Sequence, residues 1–325
     1  MPPHAPTDDA PWTIGRLVTW TAGHLTRAGV ADARLGTELL LAKAIECRRI
    51  DLYTRFDQVP ETAALDAFRA FVKRAAMREP IAYIIGEREF FSLPFRVTRD
   101  VLIPRPETET LVERALDHCK TRALAAPTIL DVGTGSGCIA VALLVQLSEA
   151  RCVASDVSEA ALAITAENAS RNGVSERIQL VEADRFHLPA EALPPGGFDI
   201  LVCNPPYIAA GAIAGLDPEV REYEPRGALT DEGDGLSFYR DMATEAGRLL
   251  APGGAVFVEV ADDCAGDVRA VMTTGGWKQT LTVKDRVVGK ERVLGFERSG
   301  RVDEPPTAGH GAGHPLAYEP VTTPS

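Results

Sequence analysis

The sequence predicts an α/β protein in which a small helical domain precedes a doubly wound, mostly parallel sheet. Apolar side chains recur at helical spacing through the first 90 residues, whereas short apolar runs alternate with helical patterns from residue 107 onward. This alternation is typical of a parallel sheet covered by helices on both faces. A glycine-rich loop at 133–137 joins one apolar run to a helix, as in sheets that bind nucleotides.

Length and charge narrow the class of protein. The chain has 325 residues, of which 45% are hydrophobic and 25% are charged, so it is long enough for two globular domains. Its 34 basic and 46 acidic residues give a net charge of −12, which argues against a dedicated binder of duplex DNA or RNA. Residues 1–97 carry 13 basic and 12 acidic side chains, so the acidity lies in the second part of the chain.

The sequence lacks the signals of membrane insertion and of export. No run approaches the roughly 18 consecutive apolar residues that span a bilayer, and the N-terminus has neither a basic nor an apolar signal region. The six cysteines are scattered without a CxxC pair, and His310 and His314 have no further ligands near them in the sequence. We therefore expect a cytoplasmic protein without disulfides and without a bound metal.

Three amphipathic helices are predicted in the N-terminal part. The first begins near Ile14 and stops at Gly29, the second ends before Cys47, and the third begins after Pro60. The period changes near residue 90, and the segment 90–97 predicts two short strands around a turn.

These patterns divide the chain into four segments. We predict a helical substrate-recognition domain at 1–88, a hairpin linker at 89–106, an α/β domain at 107–299 and a disordered tail at 300–325. Helices of the α/β domain are predicted at 107–121, 138–147 and 159–172. Its parallel strands are predicted at 128–132, 151–156, 178–181, 198–203 and 255–260, and a closing hairpin at 280–284 and 291–297.

The loop Gly133-Thr134-Gly135-Ser136-Gly137 follows a strand that contains Asp131. Glycine lets a backbone adopt positive φ and approach a ligand closely. The next strand ends at Asp156, whose carboxylate can accept hydrogen bonds from ribose hydroxyls. A dinucleotide and S-adenosylmethionine both fit such a unit, and a turn that only connects two elements is a third interpretation. The GxGxG spacing after Asp131 resembles the first motif of class I methyltransferases, in which that carboxylate faces the methionine end of S-adenosylmethionine.

A second motif, Asn204-Pro205-Pro206-Tyr207, ends the apolar strand at 198–203. Proline lacks an N–H and fixes φ, so a stiff turn forms at the carboxyl end of the strand, where α/β sheets place their ligands. Such a turn can also serve only to end a strand. The chemistry suits methylation of a planar nitrogen. The Asn204 side-chain oxygen and the Pro205 carbonyl can accept both N–H bonds of an NH₂ group, and Tyr207 can form a flat wall beside it.

Methyltransferases of adenine N6 and of glutamine amides share this tetrapeptide, and other segments of the chain separate the two classes. The chain closely resembles the peptide chain release factor glutamine N5-methyltransferases from about residue 14 to residue 297. The segments that carry the resemblance lie at 79–86, 89–91, 101–109, 223–229 and 234–236. The resemblance implies a seven-stranded Rossmann-like class I methyltransferase domain preceded by a small helical domain and a β-hairpin linker.

The resemblance also implies a reaction, a cofactor and a partner. Members of that family use S-adenosyl-L-methionine to methylate N5 of the glutamine in the Gly-Gly-Gln motif of class 1 peptide chain release factors. The implied partner is therefore a release factor, which the helical domain helps to grip. We expect a monomer that neither binds nucleic acid stably nor associates with a membrane.

The resemblance implies which residues form the site, when the family's functional positions are matched to this sequence. Those expected at the substrate glutamine are Asn204, Pro205, Pro206 and Tyr207. Those expected at the cofactor are Asp131, Gly133, Thr134, Gly135, Ser136, Gly137, Asp156, Asp184, Arg185 and Asn204. Arg185 stands where the family often has an aromatic residue against the adenine, and Phe186 is the alternative. Arg105 is interpreted either as an anchor of the loop over the cofactor or as an ion-paired linker residue.

Three other functions stay open on the sequence. The nearest is methylation of a glutamine in a ribosomal protein, and the next is methylation of adenine N6 in a nucleic acid. The net charge of −12 argues against the nucleic-acid enzyme. Only about forty residues separate Tyr207 from Leu250, which is too few for a recognition domain that flips a base. A non-enzymatic module that binds the cofactor to dock a partner has no need of the Asn-Pro-Pro-Tyr turn.

Overall fold

The computed structural model describes residues 11–261, 263–284 and 289–298. The predicted tail at 300–325, with His310 and His314, lies outside these residues. Within the described ranges, no helix is long and apolar enough to cross a membrane.

The N-terminal part is a cluster of helices. Its helices are α1 (Ile14–Arg27), α2 (Ala33–Ile45), α3 (Asp51–Thr54), α4 (Thr62–Ala76) and α5 (Ile81–Ile85). The three long helices coincide with the three predicted apolar stripes, and they bury Leu25, Leu40 and Phe68 in a common core. The sequence pattern did not predict α3 and α5, because a helix of four or five residues is too short to display a helical period.

A β-hairpin connects the helical part to the α/β part. Its strands are β1 (Glu87–Phe90) and β2 (Leu93–Arg96), and both residues of the turn, Phe91 and Ser92, have positive φ. Such a turn matches the right-handed twist of the two strands. Phe90 and Phe95 are buried in the core of the α/β part, so the hairpin packs as an extension of that core. The division of the chain into domains at 88 and 106 stays a prediction.

The α/β part contains one sheet of seven strands. In chain order they are β3 (Thr128–Val132), β4 (Arg151–Asp156), β5 (Ile178–Glu182), β6 (Phe198–Cys203), β7 (Leu250–Glu259), β8 (Trp277–Lys284) and β9 (Glu291–Arg298). Their spatial order is β5-β4-β3-β6-β7-β9-β8, with β3 to β7 parallel and β9 antiparallel to both neighbours. The predicted seven-stranded, mostly parallel sheet with a closing hairpin is therefore confirmed.

The α/β part contains six helices within the described residues, and five of them cover the two faces of the sheet. The six are α6 (Glu109–Thr121), α7 (Cys138–Gln146), α8 (Glu159–Arg171), α9 (Pro218–Tyr223), α10 (Ser237–Leu249) and α11 (Ala265–Thr274). One face packs against α6, α7 and α8, and the other face packs against α10 and α11. The chain runs outward from β3 to β5 and then returns to β6 on the other side of β3. The carboxyl ends of β3 and β6 therefore border the switch point at which sheets of this kind bind ligands.

Candidate active site

A cavity of about 430 Å³ opens at the carboxyl ends of β3, β4 and β6. The glycine loop after β3, the end of β4 and the Asn-Pro-Pro-Tyr turn after β6 line it together. A larger and more open cleft of about 820 Å³ lies between α4, the hairpin and α8, but none of these motifs reaches it. The two predicted motifs thus meet in the smaller cavity.

The glycine loop turns sharply between β3 and α7. The backbone N–H groups of Gly133 and Thr134 both donate to the Ser155 carbonyl of β4, at 2.8 and 2.9 Å. Gly133, Gly135 and Gly137 all have positive φ, between 57° and 77°. Gly137 precedes α7 and does not line the cavity, whereas Gly133 and Gly135 do.

Gly137→Ala should destabilise the protein more than Gly133→Ala does. Both positions have positive φ, but an added Cβ at Gly137 would lie 2.7 Å from Thr165 Cγ2, and at Gly133 it would meet nothing within 4 Å. We expect the free energy of unfolding to fall by about 1–2 kcal/mol more in Gly137→Ala, because the contact with Thr165 overpacks the loop. Urea denaturation without cofactor measures this difference, and equal losses would show that only backbone strain matters.

Asp131 lies beneath the glycine loop and is fully buried rather than lining the cavity. Its Oδ2 accepts hydrogen bonds from the Thr134 hydroxyl at 2.7 Å and the Ala140 N–H at 3.2 Å, while its Oδ1 has no hydrogen-bond partner among the residues that the structure describes. Burial raises the pKa of Asp131 to about 7, against the lowering effect of these two hydrogen bonds. A buried acceptor without a partner is costly unless a ligand satisfies it.

Asp156 ends β4 at the edge of the cavity. Its Oδ2 accepts the Gly135 N–H and its Oδ1 accepts the Ser158 N–H, each at 2.9 Å, so the carboxylate ties the glycine loop to the start of α8. Val157 follows it, lines the cavity and is 68% exposed. The sequence patterns did not indicate Val157, although its place directly after the end of a strand predicted to border the ligand is a signal for it.

Arg185, unlike Phe186, reaches the cavity. Arg185 has a φ of 52°, forms an ion pair with Asp241 and lies 5.5 Å over the Phe238 ring. The neighbouring Asp184 also lines the cavity. Phe186 is fully buried in the core, where its ring meets Phe238 edge-on. Of the two alternatives for the adenine contact, the structure therefore brings only Arg185 to the cavity.

The turn at 204–207 leaves β6 beside the glycine loop. Asn204, Pro205 and Pro206 line the cavity, whereas Tyr207 lies behind them. The Asn204 Nδ2 donates to Thr108 Oγ1 at 3.3 Å, and the Thr108 hydroxyl donates to Glu259 Oε2 at 2.6 Å. The Tyr207 hydroxyl lies 3.4 Å from Glu259 Oε1.

Glu259 is a buried carboxylate that the sequence analysis did not assign to the site. Burial raises its pKa to about 7, while the hydrogen bond from Thr108 and the charge of Arg292 oppose the rise. The Tyr239 hydroxyl donates to the Glu259 backbone carbonyl at 2.9 Å and so fixes the end of β7. Three polar side chains therefore converge on this residue.

The loop after Tyr207 folds back against the turn. Gly235 has a φ of 81°, and a Cβ there would lie 2.3 Å from the Tyr207 carbonyl oxygen. The Asp231 carboxylate accepts the N–H groups of Gly233, Gly235 and Ser237. Burial alone would raise the pKa of Asp231, but these hydrogen bonds lower it to about 2. The loop thus encloses one side of the cavity in a fixed conformation.

The linker at 100–105 forms another wall of the cavity and is bound to the same loop. Arg105 forms an ion pair with Glu224, whose other oxygen accepts the Ile103 N–H at 3.2 Å. The Glu224 side chain is 1% exposed, and burial raises its pKa while Arg105 opposes the rise. Arg105 therefore combines the two interpretations offered for it, since it is ion-paired and holds the linker at the cavity.

Two family models match this chain. The PrmC N-terminal domain matches residues 16–86, and the ribosomal protein L11 methyltransferase (PrmA) family matches residues 107–230. The two matches together extend from α1 to the loop that follows the Asn-Pro-Pro-Tyr turn.

Curated relatives match over nearly their whole length. The release factor glutamine methyltransferase of Rhodopirellula baltica is 39% identical over 297 residues, which cover 90% of this chain and 99% of that protein. The release factor glutamine methyltransferase of Geobacter sulfurreducens is 44% identical over 284 residues, which cover 87% of this chain and 96% of that protein. Among solved structures, the hMettl16 catalytic domain in complex with the MAT2A 3'UTR hairpin 6 superposes with a TM-score of 0.52 at 18% identity, over 71% of this chain and 84% of that one. This last likeness concerns the fold alone.

Proposed function

The chain belongs to the release factor glutamine methyltransferase family, and we propose that it methylates N5 of the Gly-Gly-Gln glutamine in class 1 peptide chain release factors. The methyl donor of this family is S-adenosyl-L-methionine. The observation that carries the proposal is the meeting of the glycine loop and the Asn-Pro-Pro-Tyr turn in one cavity. The motif proposed to hold the cofactor and the motif proposed to grip a planar amide therefore line the same cavity.

The residues of the cavity fit S-adenosylmethionine. A Cβ added at Gly133 or Gly135 would meet no atom within 4 Å, so the loop leaves open space for a ligand against its backbone. Asp131 adds a buried oxygen beneath the loop that has no partner in the described part of the chain. We assign the glycine loop and the carboxylate of Asp156 to the polar parts of the cofactor, and the apolar surface of Val157 to its adenine. When bound, S-adenosylmethionine supplies a methyl group on a positively charged sulfur.

Asn204 and Pro205 are suited to hold the substrate amide. Because the Asn204 Nδ2 is engaged with Thr108, its Oδ1 is the atom left to accept an N–H of the substrate. The pairing of β6 with its neighbours ends at Cys203, so the Pro205 carbonyl lies beyond the ladder and can accept the second N–H. Amide resonance delocalises the nitrogen lone pair toward the carbonyl, in an orbital perpendicular to the plane of the group. Two acceptors at fixed positions hold that plane so that the lone pair faces the methyl group.

Catalysis in this proposal depends on positioning rather than on a strong base. The amide proton can leave after the methyl group has been transferred, when the nitrogen has become acidic. Holding two reactants in a reactive geometry lowers a barrier by up to roughly 7–11 kcal/mol in favourable cases. The stiff turn of Pro205 and Pro206 contributes by fixing the backbone that carries the acceptors.

The alternative substrates are less well supported. The PrmA model matches only residues 107–230, whereas the relatives named release factor glutamine methyltransferases match over 87–90% of this chain. The net charge of −12 gives little attraction to a nucleic acid. We therefore propose that the chain recognises a protein loop and has no stable affinity for nucleic acid.

Incubation of the purified protein with labelled S-adenosylmethionine and a class 1 release factor tests the function. We expect one methyl group per release factor, located by mass spectrometry on the loop glutamine. A release factor in which this glutamine is replaced by Glu or Ala should accept none, because neither side chain offers an amide NH₂. Equal incorporation into the Gln and Ala forms would identify another target, and labelling of a ribosomal protein or of DNA instead would support the respective alternative.

A further inference from the structure

A buried carboxylate and a buried hydroxyl lie next to the Asn-Pro-Pro-Tyr turn. Glu259 is the last residue of β7, and Thr108 belongs to the 3₁₀ turn that precedes α6, and each is 2% exposed. Strands β6 and β7 pair so that Cys203 lies opposite Val258. Asn204 and Glu259 therefore leave adjacent strands side by side.

The Thr108 hydroxyl joins these two side chains. Its Oγ1 lies 2.6 Å from Glu259 Oε2 and 3.3 Å from Asn204 Nδ2. Above its pKa of about 7 the Glu259 carboxylate is ionised and can only accept a hydrogen bond. A hydroxyl has one hydrogen to donate, so at pH 8 Thr108 donates to Glu259 and accepts from Asn204. The short distance to Glu259 is the one expected when a hydroxyl donates to a carboxylate.

The direction of these hydrogen bonds fixes the Asn204 amide. In the reversed amide, Asn204 Oδ1 would face Thr108 Oγ1, whose only hydrogen is already donated to Glu259, and two oxygens would meet without a hydrogen between them. With its Nδ2 held at Thr108, Asn204 keeps its Oδ1 for the cavity. The same carboxylate reaches the other end of the turn, because its Oε1 lies 3.4 Å from the Tyr207 hydroxyl.

We propose that Thr108 and Glu259 are positioning residues, which orient the Asn204 amide so that its oxygen meets an N–H of the substrate amide. This role rests on the proposed function, in which that oxygen is an acceptor for the substrate. The effect of both residues passes through Asn204. Thr108 also lines the cavity, but the glycine loop and Asp156 stay unchanged when it is substituted. The loss of either positioning residue should therefore slow methyl transfer far more than it weakens cofactor binding.

Thr108→Val and Thr108→Ser form a matched pair. Valine keeps the shape of threonine without its hydroxyl, whereas serine keeps the hydroxyl. At pH 8, where Glu259 is ionised, we expect Thr108→Val to lower the single-turnover rate on a release factor by about 10–100-fold, because misplaced acceptors cost rates of this order. The KM for the release factor and the Kd for the cofactor should stay within about twofold of the values for the unsubstituted protein. The rate of Thr108→Ser should stay near that of the unsubstituted protein.

Thr37→Val controls for the loss of a buried hydroxyl as such. Thr37 is fully buried in α2, and its hydroxyl donates to the Ala33 carbonyl of the same helix at 2.7 Å. Its substitution should leave the rate of methyl transfer unchanged. Circular dichroism on each variant shows whether it is folded.

Glu259→Gln tests the other end of the pair. The substitution turns one carboxylate oxygen into an NH₂ donor, so either Thr108 or Tyr207 loses its acceptor. We expect a loss similar to that of Thr108→Val, and the double variant should be no slower than the slower single variant, since both act through one amide. Equal losses in Thr108→Val and Thr108→Ser, or fully additive losses in the double variant, would overturn the proposal in favour of packing.

Nuclear magnetic resonance separates this proposal from the proposed function. In ¹⁵N-labelled protein without cofactor, the side-chain NH₂ resonances of Asn204 are assigned by their absence in Asn204→Ala. They should shift in Thr108→Val and stay near their original position in Thr108→Ser. If this pattern holds while release factors remain unmethylated, the proposed function fails and the orienting role stands. If the Asn204 NH₂ resonances do not shift in Thr108→Val, the orienting role is overturned, whether or not the protein methylates release factors.

Discussion

Asn204→Ala is expected to lower the rate of methyl transfer by about 10²–10³-fold, as removal of one well-placed hydrogen-bonding group in an active site does. Alanine removes the oxygen that accepts a substrate N–H, and this interaction matters most in the transition state, where the nitrogen lone pair must point at the methyl group. The affinity for S-adenosylmethionine should fall only modestly, because the glycine loop and Asp156 are unchanged. Single-turnover kinetics with labelled cofactor measure the rate, and calorimetry measures the affinity.

Asn204→Asp sharpens this test. Aspartate keeps an acceptor oxygen of the same reach, but it loses the hydrogens that Asn204 donates to Thr108 and adds a charge near Glu259. Its rate should therefore lie between those of Asn204 and of the alanine variant. Asn172→Ala is the control, because the Asn172 amide donates to the carbonyls of Pro94 and Asn168 outside the cavity. Near-normal turnover in Asn204→Ala would contradict the mechanism and leave Asn204 as a turn residue.

The position of the two motifs could be predicted because each has a local signal. A strand, a glycine turn and an apolar helix follow one another from Thr128 to Gln146, and two prolines end β6. The connectivity of a parallel sheet then brings the carboxyl ends of these strands together. The family resemblance, which rested on segments along most of the chain, is confirmed by the relatives.

The partners of these motifs could not be predicted in the same way. Thr108 and Glu259 are 151 residues apart in the sequence, and Arg105 and Glu224 are 119 residues apart. No periodic pattern indicates which buried carboxylate meets which hydroxyl or guanidinium. Such pairs depend on strand register and on the path of the loops, which only the folded chain defines.

Local patterns also leave side-chain directions open. Arg185 has the positive φ that non-glycine residues rarely adopt, and this turns its side chain to the cavity and that of Phe186 into the core. Strand β7 begins at Leu250 rather than at the predicted 255, because Leu250 pairs with Phe198 before an irregularity in the register. Pro252 and Gly253 interrupt the apolar run of this strand, so a prediction based on apolar runs does not include its first residues.

Arg105→Ala is expected to lower the free energy of unfolding by about 3 kcal/mol at pH 8, because it leaves Glu224 as a buried carboxylate without its cation. The Glu224 side chain is 1% exposed, and the Ile103 N–H remains as a donor to it. This loss lies at the lower end of the range for buried ion pairs because the Arg105 side chain is 32% exposed and water screens part of its charge. Urea denaturation of the variant and of the unmodified protein at several pH values measures the difference.

The pH dependence and a second substitution identify the cause of this loss. Burial already raises the pKa of Glu224 in the folded protein, and the loss of Arg105 raises it further. A carboxyl group whose pKa is higher in the folded than in the unfolded state destabilises the fold once the pH is high enough to ionise it. The free energy of unfolding of the variant should therefore fall as the pH increases. The deficit should therefore be small near pH 5 and largest at pH 8. Adding Glu224→Gln, which keeps an acceptor for Ile103, should restore much of the stability at pH 8.

Arg240→Ala is the control, since Arg240 and Asp234 form an exposed pair whose loss should cost less than about 1 kcal/mol. An equal deficit at both pH values, unrelieved by Glu224→Gln, would assign the loss to packing of the Arg105 side chain instead of to its charge.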